Sequence, residues 1–100
     1  MRDPITAYPV PFTIDRSAAP RRYELVNTST ETLDGISLTH LGTGYSPPLV
    51  VRRLEPGRGL SLAVFGAGAD ETGVVIVRWR RPDRGEFLWR MSLAGPGLAP

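Results

Sequence analysis

One hundred residues is the length of a single domain, enough to bury roughly two-thirds of the unfolded surface around one core. An apolar fraction of 41% with 22% charge excludes a disordered or fibrous chain. The absence of cysteine excludes a disulfide framework, a zinc ribbon and a thiol nucleophile together.

The net charge of +2 sets twelve basic residues against ten acidic ones, and every basic residue is arginine. Lysine and glutamine do not occur, a pattern that points to a GC-rich coding sequence. It weakens the argument that arginine was selected for its planar fork. Residues 1–16 carry charge and three prolines and no apolar run of signal-peptide length, and the longest apolar run, 74–77, is far too short to span a bilayer. The expected compartment is the cytoplasm. Order is expected over residues 10–93, flanked by flexible segments at 1–9 and 94–100.

Strand signals recur every ten to fifteen residues between clusters of Gly, Pro, Asn, Asp and Ser, and helical periodicity does not persist anywhere. The first strand, VPFTIDR at 10–16, sets Val10, Phe12 and Ile14 inward against Pro11, Thr13 and Asp15. Pro11 lacks an amide donor, which assigns this strand to an edge. RRYELVN at 21–27 alternates Tyr23 and Leu25 against Arg22 and Glu24. GISLTHL at 35–41 alternates Ile36 and Leu38 against Ser37 and Thr39.

LVVRRL at 49–54 alternates poorly, which suggests an edge or a switch between sheets. In EPGRG, Pro56 presets φ and Gly57 can take the positive φ of a type II turn. LSLAVFG at 60–66 buries Leu60, Leu62 and Val64. A glycine-rich segment, 66–73, leads to the last hairpin.

That hairpin, residues 75–93, threads five arginines among two tryptophans and a phenylalanine. The period of two decides its register. Pairing Arg81 with Glu86 mixes the faces. Pairing Arg80 with Glu86 instead gathers Val75, Val77, Trp79, Phe87, Trp89, Met91 and Leu93 on one side. That register makes the aromatics core, leaves residues 81–85 as the loop, and places Ile76, Arg78, Arg80, Leu88 and Arg90 outside with Glu86 and Ser92.

Seven strands without helices predict an all-β chain: a single immunoglobulin or fibronectin III-like antiparallel sandwich, with a five- or six-stranded barrel as competitor. The runs RYELVNTSTETLDGISL and VRRLEPGRGLSLAVFG resemble bacterial immunoglobulin-like domains of the CARDB type. There an Asn-Thr turn follows the second strand and a Leu-x-Pro-Gly turn precedes a later one. The resemblance spans about half the chain and implies a sandwich without catalytic residues. That family is usually extracellular, which this N-terminus does not match.

Catalytic candidates are sparse. His40 shares a face with Ile36 and Leu38, as expected of a histidine satisfied at the core margin, and Ser37 points to the opposite face. Asp34, Ser37 and His40 therefore form no triad. Asp70 and Glu71 lack the spacing of a calcium loop, and Asn27-Thr28-Ser29 reads as a turn rather than a glycosylation acceptor. Gly66, Gly68 and Gly73 precede no expected helix, so no phosphate loop follows. No cofactor or metal is expected.

The expectation is a non-enzymatic interaction or assembly module. Its contacts are Arg78, Arg80, Leu88 and Arg90 on the outer face of the last two strands, meeting a protein partner or a second copy, because Arg is enriched at interface cores where Lys is depleted. Arginine stems covering apolar neighbours are the plainer account of the same face. A nucleic-acid-binding alternative uses these arginines with Arg81 and Arg84, but it lacks outward aromatics for stacking.

Overall fold

A computed structural model describes residues 9–82 and 85–94. In chain order the elements are β1 (Phe12–Asp15), β2 (Arg22–Asn27), β3 (Leu33–Leu41), β4 (Leu49–Leu54), β5 (Gly59–Ala63), α1 (Ala69–Thr72), β6 (Val74–Arg81) and β7 (Gly85–Ser92). They form two antiparallel sheets, one ordered β1-β2-β5 and the other β4-β3-β6-β7. The segments expected to be flexible lie outside the described residues, apart from Pro9 and Ala94 at their margins. Within the expected hairpin loop, so do residues 83 and 84.

The sheets face one another because most of their strands alternate. Phe12, Tyr23, Leu25, Leu60 and Leu62 from one sheet meet Leu33, Ile36, Leu38, Val75, Val77, Trp79 and Met91 from the other in one core. Aromatic rings bridge the layers. Phe12 lies edge-on to Trp79, with centroids 5.3 Å apart and planes at 88°, and stacks on Trp89 at 6.4 Å. Trp79 stacks in turn on Phe87 at 6.0 Å. Burying one such ring removes about 150–250 Å² from water, a gross gain of about 4–6 kcal/mol at 25 cal/mol per Å².

The hairpin register is the one the apolar pattern selects: Trp79 pairs with Phe87, Val77 with Trp89 and Arg80 with Glu86. In β3 the spacing is irregular. Asp34 faces Arg80 and Ser37 faces Arg78, so three steps on β3 match two on β6. The extra residue is absorbed at Gly35, whose φ of 55° lies in the left-handed region. The bulge lets Leu33 and Ile36 both face the core although an odd spacing in a regular strand would set them on opposite faces.

Asn27 ties the layers together at one end. Fully buried, it donates from Nδ2 to the Glu31 and Leu54 carbonyls (2.8 and 3.0 Å) and accepts at Oδ1 from the Ser29 amide and hydroxyl (2.9 and 2.7 Å). Its own carbonyl accepts from Gly57 N at 2.7 Å. Gly57, at φ 83°, closes the turn in which Arg58 N donates to Glu55 O at 3.0 Å.

Three expectations are corrected. The first strand begins at Phe12 rather than residue 10, leaving Val10 39% exposed and Pro11 buried. The fifth strand ends at Ala63; beyond it Phe65 returns to bridge Tyr45, and the two rings stack at 6.5 Å. Gly68 does precede a helix, the single turn α1, because Gly68 takes φ 85° at its N-cap and Ala69 is buried beneath it. One turn is too short to make an anion site from its N-terminus.

Candidate functional site

The four-stranded sheet presents its outer face in three rows that cross all or most of its strands. The first runs Arg53, Asp34, Arg80, Glu86 from β4 to β7. The second runs Val50, Ser37, Arg78, Leu88. The third runs Thr39, Ile76, Arg90. All four residues expected to bind a partner, Arg78, Arg80, Leu88 and Arg90, therefore share this face and are exposed. Leu88 is 57% exposed and Val50, at the other end of its row, 75%.

The charges on this face remain open. Among the described residues none of Arg52, Arg53, Arg78, Arg80 and Arg90 closes an ion pair. Arg80 and Glu86 take the expected cross-strand positions without bonding. An ion pair does form off this face: Arg81 grips Glu31 bidentately, Nε to Oε1 at 2.9 Å and Nη2 to Oε2 at 2.7 Å, with its guanidinium 5.7 Å from the Phe87 ring. Arg81 is thus engaged structurally, and Arg84 lies outside the described residues.

Sequence reasoning missed the contribution of β4. Arg52 and Arg53 join Asp34 and Arg80 in lining a cleft of about 500 Å³. The clue was the failed alternation in LVVRRL. What could not be read was which strand β4 pairs with, and only the pairing with β3 brings its two arginines beside Arg80.

The remaining candidates resolve as structural. Trp79 is 2% exposed and Trp89 half-buried against Phe12, so neither ring offers a stacking platform on the outer face. His40 uses both ring nitrogens: Nε2 donates to the Thr43 carbonyl at 2.8 Å, and Nδ1 accepts from the buried Ser46 hydroxyl at 2.7 Å. It holds the loop after β3. Asp34 sits toward the other end of β3, against Arg80, and Ser37 lies across from Arg78 on the outer face, so no triad assembles. Asn27 has every polar side-chain atom bonded and buried, which leaves no amide for glycosylation.

Two displaced ionisations belong to the other layer. The Ser17 amide and hydroxyl hold the Asp15 carboxyl below its ordinary value. Burial, and then the charge of Asp70, raise the Tyr23 phenol, while Arg16, 5.7 Å from its ring, opposes them. Among the described residues no group of three or more His, Asp or Glu side chains is placed to hold a metal. Nor, among those residues, is any helix long and apolar enough to cross a membrane.

Fold and face together define a small two-sheet antiparallel β domain with an arginine-rich, partly aliphatic outer surface. Compared with family models, curated proteins and solved structures, the chain matches none.

Proposed function

We propose that the chain is a non-catalytic interaction or assembly module of the cytoplasm that binds a protein partner, or itself, through the outer face of β6 and β7. Arg78, Arg80, Leu88 and Arg90 make the contacts. The carrying observation is that three arginines that close no ion pair among the described residues interleave with an exposed leucine on one ordered sheet face. Interfaces favour this composition, because an arginine stem packs while its fork bonds a partner's carboxylates or carbonyls.

We also read the scaffold as an immunoglobulin or fibronectin III-like sandwich. Support comes from the strand order, in which β2 pairs with β5 and β3 with β6 across the chain, leaving three strands against four. The resemblance to CARDB-type domains fits the docking of its two turns, since Gly57 bonds the Asn27 carbonyl.

Reversing charge at both Arg78 and Arg90 to Glu tests the function. Unchanged circular dichroism with loss of self-association or of captured partners is expected. A monomer by light scattering before and after, with an unchanged set of partners, overturns it. Nucleic acid is the second reading, favoured by the addition of Arg52 and Arg53 to the same face. It requires binding whose logarithm falls linearly with the logarithm of salt concentration, and the absence of any oligonucleotide shift at low salt removes it.

A further inference from the structure

Among the described residues four strand edges bound the two sheets, and three of them are guarded. β1 has four residues and follows Pro11; β5 has only five. β4 follows Pro47 and Pro48, and its paired arginines break its alternation. Short length, flanking proline and irregularity are the ordinary means by which sheets avoid pairing with other chains. β7 has none of these, and only its last residue is engaged, where Arg16 Nη2 donates to the Ser92 carbonyl at 3.3 Å. It runs eight residues in unbroken register with β6, contains no proline and turns no charge inward.

The order of residues along β7 is self-complementary. From the geometry of this edge we propose that two copies of the chain pair antiparallel through β7, about a two-fold axis at Leu88 perpendicular to the sheet. Opposed residues in an antiparallel pair share a face. Glu86 then meets Arg90 of the second copy, Arg90 meets Glu86 of the second copy, and the two Leu88 side chains touch. On the inner side Phe87 meets Trp89 of the second copy. Centring the axis on Phe87 instead sets Glu86 against leucine, and centring it on Trp89 sets Arg90 against leucine. Only the Leu88 register matches both charges.

Two features of the single chain fit this partner. Arg90 faces Ile76 across the hairpin, so an acidic neighbour can reach it along the strand row only from the open edge. Trp89 points inward yet stays half-buried, as an aromatic does on a strand with no further strand beyond it among the described residues. The pairing joins two four-stranded sheets into one and aligns both outer faces on the same side. This inference rests on the reading of the β6–β7 hairpin as a protein-binding element and names its partner as a second copy, with Leu88 and Arg90 at the seam and Arg78 and Arg80 one strand behind it.

The chain has no cysteine, so a single introduced thiol reports on the axis. In Leu88→Cys the two thiols lie about 5 Å apart at Cβ and cross-link under mild oxidation. In Arg78→Cys, one strand further in on each copy, they stand about 14 Å apart and do not. Separately, Glu86→Arg and Arg90→Glu each weaken dimerisation in sedimentation about tenfold or more, by setting two like-charge pairs across the axis. The double swap restores most of it. Near-ultraviolet dichroism confirms that each variant keeps its tryptophan packing. Cross-linking of Arg78→Cys as fast as Leu88→Cys overturns edge pairing and leaves stacking of the outer faces, under which the broader reading stands. A monomer at every soluble concentration overturns self-pairing, while the broader reading is then decided by partner capture in the Arg78 and Arg90 reversal.

Discussion

Val77 and Arg78 are neighbours in the chain, yet one is fully buried and the other exposed, and the inner side chains of β6 and β7 are in general the more buried. The inner face is crowded with rings and branched aliphatics at van der Waals contact, so each side chain is fixed by several others. The outer face carries arginines that close no ion pair among the described residues, beside two exposed aliphatics. Stability is therefore carried by one side of the hairpin, and the proposed recognition belongs to the other. Substitutions on the two sides should differ in kind.

The largest effect is expected for Trp79→Ala. It removes the ring that Phe12 meets edge-on from the facing sheet and that Phe87 stacks on, and should cost about 3–5 kcal/mol in urea unfolding, enough to consume much of a small domain's stability. Asn27→Ala comes next. It strands the Leu54 carbonyl in the buried end of the sandwich along with the groups that bonded Asn27, and should cost about 1–3 kcal/mol. Gly35→Ala follows at about 1–2 kcal/mol, because φ 55° crowds a Cβ in the left-handed region and the new methyl meets the Arg80 guanidinium at 3.3 Å. A Gly35→Ala variant as stable as the parent would show that the bulge does not hold the register of β3.

These costs also mark what could be read from the residues alone. The register of β6 and β7 was legible because seven apolar side chains fall on one face only when Arg80 meets Glu86. The type II turn was legible because proline followed by glycine leaves few alternatives. The bulge at Gly35 was not, since a glycine at the start of a strand gives no sign of what lies opposite. The outer face was half legible. Arg78, Arg80, Leu88 and Arg90 follow from alternation within one hairpin, whereas Val50, Arg52 and Arg53 reach it only through a strand pairing that spans the intervening loop. His40 was placed at the core margin by its neighbours, but its bond to Ser46 depends on how that loop folds back.

The three-stranded sheet offers a smaller effect, governed by pH. Burial and the Asp70 charge raise the Tyr23 phenol above its ordinary value of 10.0. A group whose pKa is raised on folding stabilises fully below its unfolded value and loses that contribution as pH rises through the folded one. Stability should therefore fall more steeply above pH 10.0 in the parent than in Tyr23→Phe. Identical alkaline limbs for the two proteins would show that Tyr23 ionises as freely folded as unfolded.

The smallest effect on stability, and the most informative for function, belongs to Arg78. It stands between Ser37 and Leu88 in its row, so its methylene stem can cover the leucine whatever its charged end does. Arg78→Met keeps most of the stem and discards the charge; Arg78→Ala discards both. If the arginine serves only as a cover, Met should leave partner binding and stability alike unchanged, and Ala should lower stability by a few tenths of a kcal/mol. If the fork is a contact, both variants should lose binding together while stability moves by less than about 0.5 kcal/mol in either. Equal loss from Met and Ala assigns the outer face to recognition by charge. Binding retained by Met alone reduces that face to a solvated surface and leaves the inner one as the only side of the hairpin under strong chemical constraint.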